Sequence, residues 1–202
     1  NAMHKGLNGV IYRMGILTGR YTDGRFQANI HDNALYNRIK SIIQIGMIPE
    51  EFLSQELEFS PVDYCSRAIV LLAELPESNK HIYHIYNHKT LPVKKFIVAA
   101  GNCGYKIEYC SSSEFEQYIR DILSDPKRSA DLTGIINDLN LNKTIGLQDS
   151  PNIDSSITTR YLSLLDFEWP EITFEYISKL LAHMKSVGFI EDPGQISMFS
   201  NW

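Results

Sequence analysis

The chain has 202 residues, of which 19 are basic and 24 acidic, so its formal charge is −5 at neutral pH. Hydrophobic residues make up 44% and charged residues 21%, which excludes a largely disordered chain, a collagen-like repeat and a disulfide scaffold. The acidic balance gives no overall attraction to nucleic acid or anionic lipid, and the apolar runs are too short to span a bilayer. We therefore expect a folded protein with no nucleic-acid partner and no membrane partner.

The two ends of the chain are set apart from its fold. Asn1-Ala2-Met3 resembles the scar left by tag cleavage, so residues 1–3 are excluded from fold reasoning. We expect the folded part to cover 4–190 and the segment 191–202 to be a loose tail. The three cysteines are odd in number and widely spaced, which predicts free thiols and favours the cytoplasm.

In chain order, the first predicted element is a buried strand over 9–17, where an apolar, β-prone run is bracketed by glycines. A helix follows after a polar loop. Its expected N-cap is Asp32 or Asn33, and it is expected to run to Ile45 with Gly46 as its C-cap.

The middle of the chain alternates helices with short strands. Ser60 is expected to form a capping box with Asp63 at the start of a helix. The alternation over 81–87 predicts a strand. A short helix over 92–100 is then expected to end at Gly101.

The C-terminal half is mostly helical. After a short strand over 105–109, Ser113 is expected to cap the next helix together with Glu116. The remaining predicted elements are helices over 127–139, 156–166 and 172–187, with an irregular loop over 141–153. The sequence thus predicts an α/β protein, mostly helical with a few strands, which alternate with helices too rarely to complete a doubly wound sheet.

No metal or nucleophile motif is convincing. His81 and His84 lie on opposite faces of the predicted strand, so they cannot share a metal. The spacing of Cys103 and Cys110 lacks the tight pairing of a zinc site. Residues 101–106 follow a helix and precede a strand, the reverse of a phosphate-binding turn. We expect no metal site.

Tyr36 and Lys40 match the Tyr-x-x-x-Lys dyad of short-chain dehydrogenases. Helical spacing puts both side chains on one face, where the lysine could lower the tyrosine pKa and make it a useful acid. The pattern has only two residues, however, and tyrosine is frequent in this chain. We therefore interpret Tyr36 as a half-buried tyrosine on a solvated helix face.

Several segments, taken in order, resemble extended short-chain dehydrogenase/reductases. Residues 12–19 resemble the strand after the catalytic helix, with Met14 where the family usually has proline. Further likenesses are a substrate-domain helix end at 43–49, a "Pro-Val-Asp-Tyr" helix start at 58–69 and a late strand near the sheet edge at 82–87. Together, residues 6–190 resemble the C-terminal part of the thioester reductase domains that terminate nonribosomal peptide synthetases.

This resemblance implies a mostly helical substrate-binding subdomain with a few strands left from the edge of a Rossmann-type sheet. In that family the full-length domain binds NADPH and releases a thioester, held on a phosphopantetheinyl carrier protein, as an aldehyde or alcohol. In such domains the nucleotide-binding half and the catalytic Tyr and Lys lie before the strand that residues 9–17 resemble. The chain is then expected to be inactive alone, to bind no cofactor by itself and to partner an upstream half, with Tyr36 and Lys40 as a decoy.

The resemblance also implies which residues form the site. The turn made by Met14, Gly15, Ile16 and Leu17 would approach the nicotinamide. The substrate pocket would be walled by Thr18, Tyr21, Phe59, Val62 and Tyr64. The helical C-terminal part would receive the carrier protein. Two alternatives stay open: a non-catalytic carrier-protein docking module, and the substrate domain of a nucleotide-sugar epimerase-type extended dehydrogenase.

Overall fold

The computed structural model describes residues 9–75, 82–124 and 153–193, which contain eight short strands and six α-helices. The strands are β1 (Ile11–Met14), β2 (Leu17–Thr18), β3 (Met47–Pro49), β4 (Glu56–Leu57), β5 (Ser60–Pro61), β6 (Ile82–Ile85), β7 (Leu91–Pro92) and β8 (Glu108–Cys110). The helices are α1 (Ala34–Ile45), α2 (Val62–Ala73), α3 (Val93–Asn102), α4 (Ser112–Leu123), α5 (Ser156–Leu164) and α6 (Phe174–Ser186). The predicted α/β class, mostly helical with a few strands, is confirmed.

The strands pair two by two. Three pairs are parallel (β1 with β6, β2 with β5, β3 with β8) and one is antiparallel (β4 with β7). In the first pair Tyr12 lies opposite Tyr83, and their rings stack 5.8 Å apart. The three parallel pairs each join segments far apart in sequence, as connections through helices require.

The single buried strand predicted over 9–17 is wrong in two respects. It is split into β1 and β2, because the Ile16 N–H donates to the Glu58 carboxylate (2.8 Å) and not to a neighbouring strand. It is also largely exposed in the described structure, with Ile11 at 40% and Met14 at 38%. Among the described residues β1 pairs on one side only, with β6, and no strand lies along its other edge.

Helix α1 forms as the sequence predicts. Asn33 caps it, since its side chain accepts the N–H of Tyr36 (3.2 Å). Gly46 ends the helix with a φ of 69°, a left-handed conformation that glycine adopts without a steric penalty. Five buried residues of α1 are leucine or isoleucine, and they place the apolar face of the helix in the hydrophobic core.

The capping box predicted at Ser60 is wrong. Its Oγ donates to Glu58 (2.8 Å) and accepts the N–H of Asn87 (2.9 Å), so both capacities are used on other partners. Pro61 stands at the N-cap of α2 and makes no side-chain cap. Asp63 instead accepts the N–H of Tyr21 (2.9 Å), a contact that ties the first loop to this helix.

Two other helix ends differ from the prediction. Gly101 lies inside α3, and the left-handed residue that follows the helix is Gly104, with a φ of 93°. The capping box of α4 is formed by Ser111 and Glu114, two residues before the predicted Ser113 and Glu116. Ser111 is the last extended residue after β8, so its side chain and not that of Ser113 faces the free amides of the first turn.

The buried side chains form two cores. The larger is built from α1, α3, α4 and α6, with α3 packed along α6. The smaller joins α2, β6 and α5 to the segment that carries Phe167 and Trp169. None of the described helices is long and apolar enough to cross a bilayer.

Helices α5 and α6 confirm the predictions over 156–166 and 172–187, and Gly188 (φ 69°) follows the second. The scar at 1–3, the helix predicted over 127–139, almost all of the loop over 141–153 and the tail beyond 193 lie outside the described residues.

Candidate functional site

The turn between β1 and β2 is held from one side and exposed on the other. The Gly15 N–H donates to Ile85 O (2.9 Å), and the Ser60 N–H donates to Ile16 O (3.0 Å). Glu58 Oε1 accepts both the Ile16 N–H and the Ser60 hydroxyl, each at 2.8 Å. The turn is therefore held by three residues from two other segments, namely Glu58 and Ser60 from one and Ile85 from the other.

Gly15 has no room for a side chain. A Cβ built on it would lie 2.0 Å from Glu58 Oε1 and 2.5 Å from Tyr86 Cβ. The glycine thus lets the Glu58 carboxylate reach the backbone of the turn. Met14 and Ile16 flank it with exposed side chains, at 38% and 39%. These are the residues that the sequence assigns to the cofactor, and the structure presents their apolar side chains to solvent.

Beyond the turn, the chain enters a buried polar network. Asn33 Nδ2 donates to Leu17 O (3.1 Å), which joins the half-buried β2 residue to the start of α1. Thr18 is fully buried, and its Oγ1 lies 2.8 Å from Tyr176 Oη. Tyr176 donates its own hydroxyl hydrogen to Gly19 O (2.8 Å). Since a phenol carries one hydrogen, Thr18 is the donor of the first bond.

Tyr36 belongs to the same network and not to a catalytic dyad. Its Oη accepts the N–H of Gly19 (2.8 Å), and its side chain is fully buried, in contrast to the half-buried residue expected. Burial raises the pKa of Tyr36 far above its usual value, which opposes a role as a proton donor. Lys40 Nζ stands 5.3 Å from the centroid of the Phe189 ring, in a cation–π contact.

An aromatic cluster adjoins this network. The Tyr21 ring stacks on Tyr176 at 5.0 Å and meets the edge of Tyr64 at 5.5 Å. Phe59 packs edge-on to Tyr176 (6.4 Å), and Tyr64 packs edge-on to Phe167 (6.1 Å). The Tyr21 hydroxyl donates to Glu171 O (3.0 Å), so both ends of that residue are fastened.

Four of the five residues assigned to the substrate pocket are thus brought into one cluster: Thr18, Tyr21, Phe59 and Tyr64. Thr18 and Phe59 are fully buried, whereas Tyr21 and Tyr64 are half-buried. Val62 is half-buried at the start of α2, between the segments that carry Phe59 and Tyr64. The side chains accessible to a ligand are therefore Tyr21, Val62 and Tyr64, and a substrate-binding role for all five stays a prediction.

The sequence patterns did not assign roles to Glu58, Tyr36 and Tyr176 in the site. Glu58 lies in the motif that carried the resemblance, and a carboxylate two residues before Ser60 was a usable signal. Tyr176 is separated from Thr18 by 158 residues. No local pattern could have found that contact.

No cluster of three or more metal-ligating side chains occurs among the described residues. All three cysteines are free thiols. Burial raises the pKa of the Cys65 thiol to about 12, so it stays protonated and unreactive at neutral pH.

The fold is similar to that of solved reductase domains of nonribosomal peptide synthetases. A thiolation-reductase di-domain from an archaeal non-ribosomal peptide synthetase superposes with a TM-score of 0.77 at 28% identity, covering 94% of this chain and 38% of that chain. The terminal R domain from the myxalamid PKS-NRPS pathway gives a TM-score of 0.78 at 24% identity, covering 95% and 47%. The second likeness is one of fold alone.

Sequence comparisons are consistent with this placement. Residues 1–69 match an NAD-binding family model described as "Male sterility protein". A linear gramicidin synthase of Brevibacillus parabrevis is 27% identical over 193 residues, which are 93% of this chain and 4% of that protein. The PKS-NRPS hybrid synthetase acdB of Aspergillus candidus is 34% identical over 92 residues, 46% of this chain and 4% of that protein.

The chain is therefore similar, along nearly all of its length, to the reductase domains of nonribosomal peptide synthetases. The predicted resemblance to the C-terminal part of such a domain is confirmed. The chain spans less than half of each of the two solved chains and a small fraction of each synthetase.

Proposed function

We propose that this chain is the substrate-binding C-terminal part of an NADPH-dependent thioester reductase, which releases a carrier-bound peptidyl or acyl thioester as an aldehyde or alcohol. The observation that carries the proposal is the fixed turn at Gly15–Ile16, exposed at the end of a one-sided parallel strand pair and continuous with an aromatic cluster. The likeness to reductase domains supports it, because the same residues lie in the matched region.

The strand pair β1–β6 supports the presence of a further strand beside β1 in the complete domain. Parallel strands normally lie inside larger sheets that are covered on both faces. The outer edge of β6 is occupied, since the His84 N–H donates to Thr158 Oγ1 of α5 (2.9 Å). In the described part of the chain no strand pairs with the outer edge of β1. We assign that edge to the nucleotide-binding half of the same reductase.

The residues of the turn are suited to contact the ring of the cofactor, but they are not sufficient to bind the cofactor by themselves. Met14 and Ile16 offer exposed apolar side chains to a flat ring, and Glu58 fixes the backbone between them. The turn itself carries no basic side chain for the phosphates. NADPH, when bound by the complete domain, would supply the hydride. Met14, Gly15, Ile16 and Leu17 would then border the nicotinamide, and this chain alone would bind no cofactor.

In the complete domain, the proposed reaction is the reduction of a carrier-bound thioester. A hydride adds to the thioester carbonyl carbon, the carbon–sulfur bond breaks, and the sulfur takes up a proton to leave a free thiol on the carrier arm. The products would be an aldehyde and NADP⁺, and a second hydride from another NADPH, with a proton taken up by the carbonyl oxygen, would give the alcohol. The part of this chain is to wall the acyl or peptidyl group with Tyr21, Val62 and Tyr64, backed by the buried Thr18 and Phe59.

A carrier protein is the proposed macromolecular partner. One matched structure is a thiolation-reductase di-domain, which supports an arrangement in which a carrier delivers its thioester to this part. The folded unit is proposed to cover residues 4–190. Phe189 and Ile190 are buried at 2% and 4%, which supports a boundary just after them.

The test compares the chain alone with the chain joined to the upstream half encoded by its parent gene. We expect no NADPH oxidation by the chain alone with an acyl-phosphopantetheine thioester, and turnover to aldehyde by the joined protein. Turnover by the chain alone would contradict the division of labour. An inert joined protein that still binds an acylated carrier would favour a non-catalytic docking module.

A further inference from the structure

We propose that Tyr36 and Tyr176 are positioning residues, which hold Gly19 from both sides and thereby fix Tyr21 in the wall of the substrate pocket. The inference rests on the proposed function, because it concerns the pocket of that reaction. It assigns a role in substrate selection to two helices, α1 and α6, whose tyrosines do not themselves face the substrate.

We call Tyr36 and Tyr176 the tyrosine clamp, because their hydroxyls bind both backbone groups of Gly19. Tyr36 Oη accepts the Gly19 N–H and Tyr176 Oη donates to Gly19 O, each at 2.8 Å. Thr18 completes the chain by donating to Tyr176 at 2.8 Å. The two tyrosine side chains are exposed by 0% and 1%, so water does not replace a hydroxyl that is removed.

Gly19 is the position where such a clamp is needed. A Cβ there would lie 2.2 Å from Gly24 O and 2.7 Å from Leu180 Cδ2, so the residue must be glycine. Glycine loses more backbone freedom on folding than any other residue. Its conformation must therefore be set by groups from elsewhere, and the two phenols are those groups.

The clamp reaches Tyr21 by two routes. Through the backbone, Gly19 lies two residues before Tyr21 at the start of the loop. Through space, the Tyr21 ring stacks on Tyr176 at 5.0 Å. Two residues of α2 hold Tyr21 from the opposite side. Asp63 accepts the Tyr21 N–H (2.9 Å), and the ring of Tyr64 contacts the Tyr21 ring edge-on (5.5 Å). A shift of Tyr176 thus moves a side chain that a substrate can touch.

The tyrosines act through Tyr21 and not as acids. Burial raises the pKa of both phenols, so both stay protonated throughout the physiological range. Each hydroxyl is also engaged by its hydrogen bonds to Thr18 or Gly19. What remains is control of position, which should appear in the recognition of the thioester and not in that of the cofactor.

The first test uses the chain itself. Tyr36→Phe and Tyr176→Phe keep the rings and remove only the hydroxyls. We expect hydrogen exchange of the backbone amides over 19–25, followed by NMR, to become about tenfold faster. The loss of one buried hydrogen bond lowers the free energy of local opening by an amount that corresponds to this factor. Tyr105→Phe is the matched control, because its hydroxyl donates to Glu191 O (3.2 Å), outside the clamp. Unchanged exchange in both clamp variants would overturn the inference.

The second test uses the chain joined to its upstream half. We expect Tyr176→Phe to raise the KM for an acyl-phosphopantetheine thioester about tenfold with the KM for NADPH unchanged. Tyr105→Phe should change neither. Equal loss toward both substrates, or a fall in kcat that only follows the folded fraction, would reduce the tyrosines to structural support and overturn the inference.

The two proposals fail in different ways. A wild-type joined protein that turns the thioester over, with clamp variants that match it, would overturn this inference alone. A wild-type joined protein without turnover would contradict the proposed function and this inference together.

Discussion

At the scale of single residues, the crowding at Gly15 is a feature of the protein itself. The sequence motif suggests a glycine that allows a cofactor to approach. In the structure the nearest group is the Glu58 carboxylate, at 2.0 Å from a built Cβ. Glycine is therefore needed at this position before any ligand is considered, because Glu58 must reach the Ile16 N–H.

The surroundings of two glycines predict opposite outcomes for the same substitution. We expect Gly15→Ala to lower the free energy of unfolding by about 1–3 kcal/mol, because Glu58 and Tyr86 must both shift. Gly101→Ala is the matched control. Its Cβ meets nothing within 4 Å and it lies in α3, so we expect a gain of about 0.5–1 kcal/mol. Urea unfolding of both variants measures the difference.

Removal of the crowding side chain checks the cause. Gly15→Ala should cost less when measured against a Glu58→Ala background than against the wild type, and the contact with Tyr86 Cβ at 2.5 Å should keep the rest of the cost. A Gly15→Ala variant as stable as wild type would show that the turn relaxes freely, and the fixed turn on which the proposed function depends would then be wrong.

The same scale shows what sequence reasoning can reach. Asn33 and Gly46 were predictable as caps, because their partners lie within four residues. The role of Ser60 was not, since its hydroxyl is engaged by Glu58 and by Asn87, which is 27 residues away. The contact of Thr18 with Tyr176 is more distant still. Local patterns predict hydrogen bonds that close locally, and the candidate site is held mostly by those that do not.

At the scale of elements, the start of α4 separates two possible capping boxes. The sequence offers Ser113 with Glu116, and the structure uses Ser111 with Glu114. Ser111 Oγ accepts the Glu114 N–H (3.3 Å), and Glu114 Oε2 accepts the Ser111 N–H (2.8 Å). The hydrogen bonds to Ser111 hold the pKa of Glu114 below its usual value, so the box is intact at neutral pH.

We expect Ser111→Ala to lower the free energy of unfolding by about 1 kcal/mol, since the amides of the first turn lose their acceptor. Ser113→Ala should cost less than half as much, because that side chain lies inside the first turn and, among the described residues, its hydrogen bond is to Ser111 Oγ (3.1 Å) and not to a free amide. Thermal unfolding of the two variants side by side measures the comparison. A larger loss for Ser113→Ala than for Ser111→Ala would support the capping box predicted from the sequence and contradict the observed one.

Elements as a whole were more predictable than their ends. The apolar spacing of α1 and α6 gave helices within two residues of those observed, because each buries one continuous face in the larger core. The strand over 9–17 was predicted as one piece, since its composition is apolar throughout. Its break depends on Glu58, a residue 42 positions from Ile16, so the partner of the Ile16 N–H could not be found from the strand alone.

At the scale of the whole molecule, the unusual feature is the edge of β1, which no other strand covers in the part of the chain that the structure describes. An edge strand with unpaired backbone groups and apolar side chains favours pairing with another chain. Ile11 and Ile82 lie opposite each other in the pair and are exposed by 40% and 44%. In the proposed reductase the upstream half covers this surface. In the chain alone, a second copy is the available occupant, and two equal edges can pair about a two-fold axis.

We therefore expect the isolated chain to dimerise with rising concentration and Ile11→Lys to hold it monomeric, because a charge at the edge opposes strand pairing. Val70→Lys is the matched control, an exposed apolar residue (57%) on α2, away from the strand edge, and it should leave the dimer intact. Sedimentation velocity separates the two states. Joined to its upstream half, the wild-type chain should lose this dimer, since one edge cannot pair twice. If the dimer persists after Ile11→Lys and after joining, its interface lies elsewhere on the molecule. That result would contradict the assignment of the β1 edge as the surface that the upstream half covers.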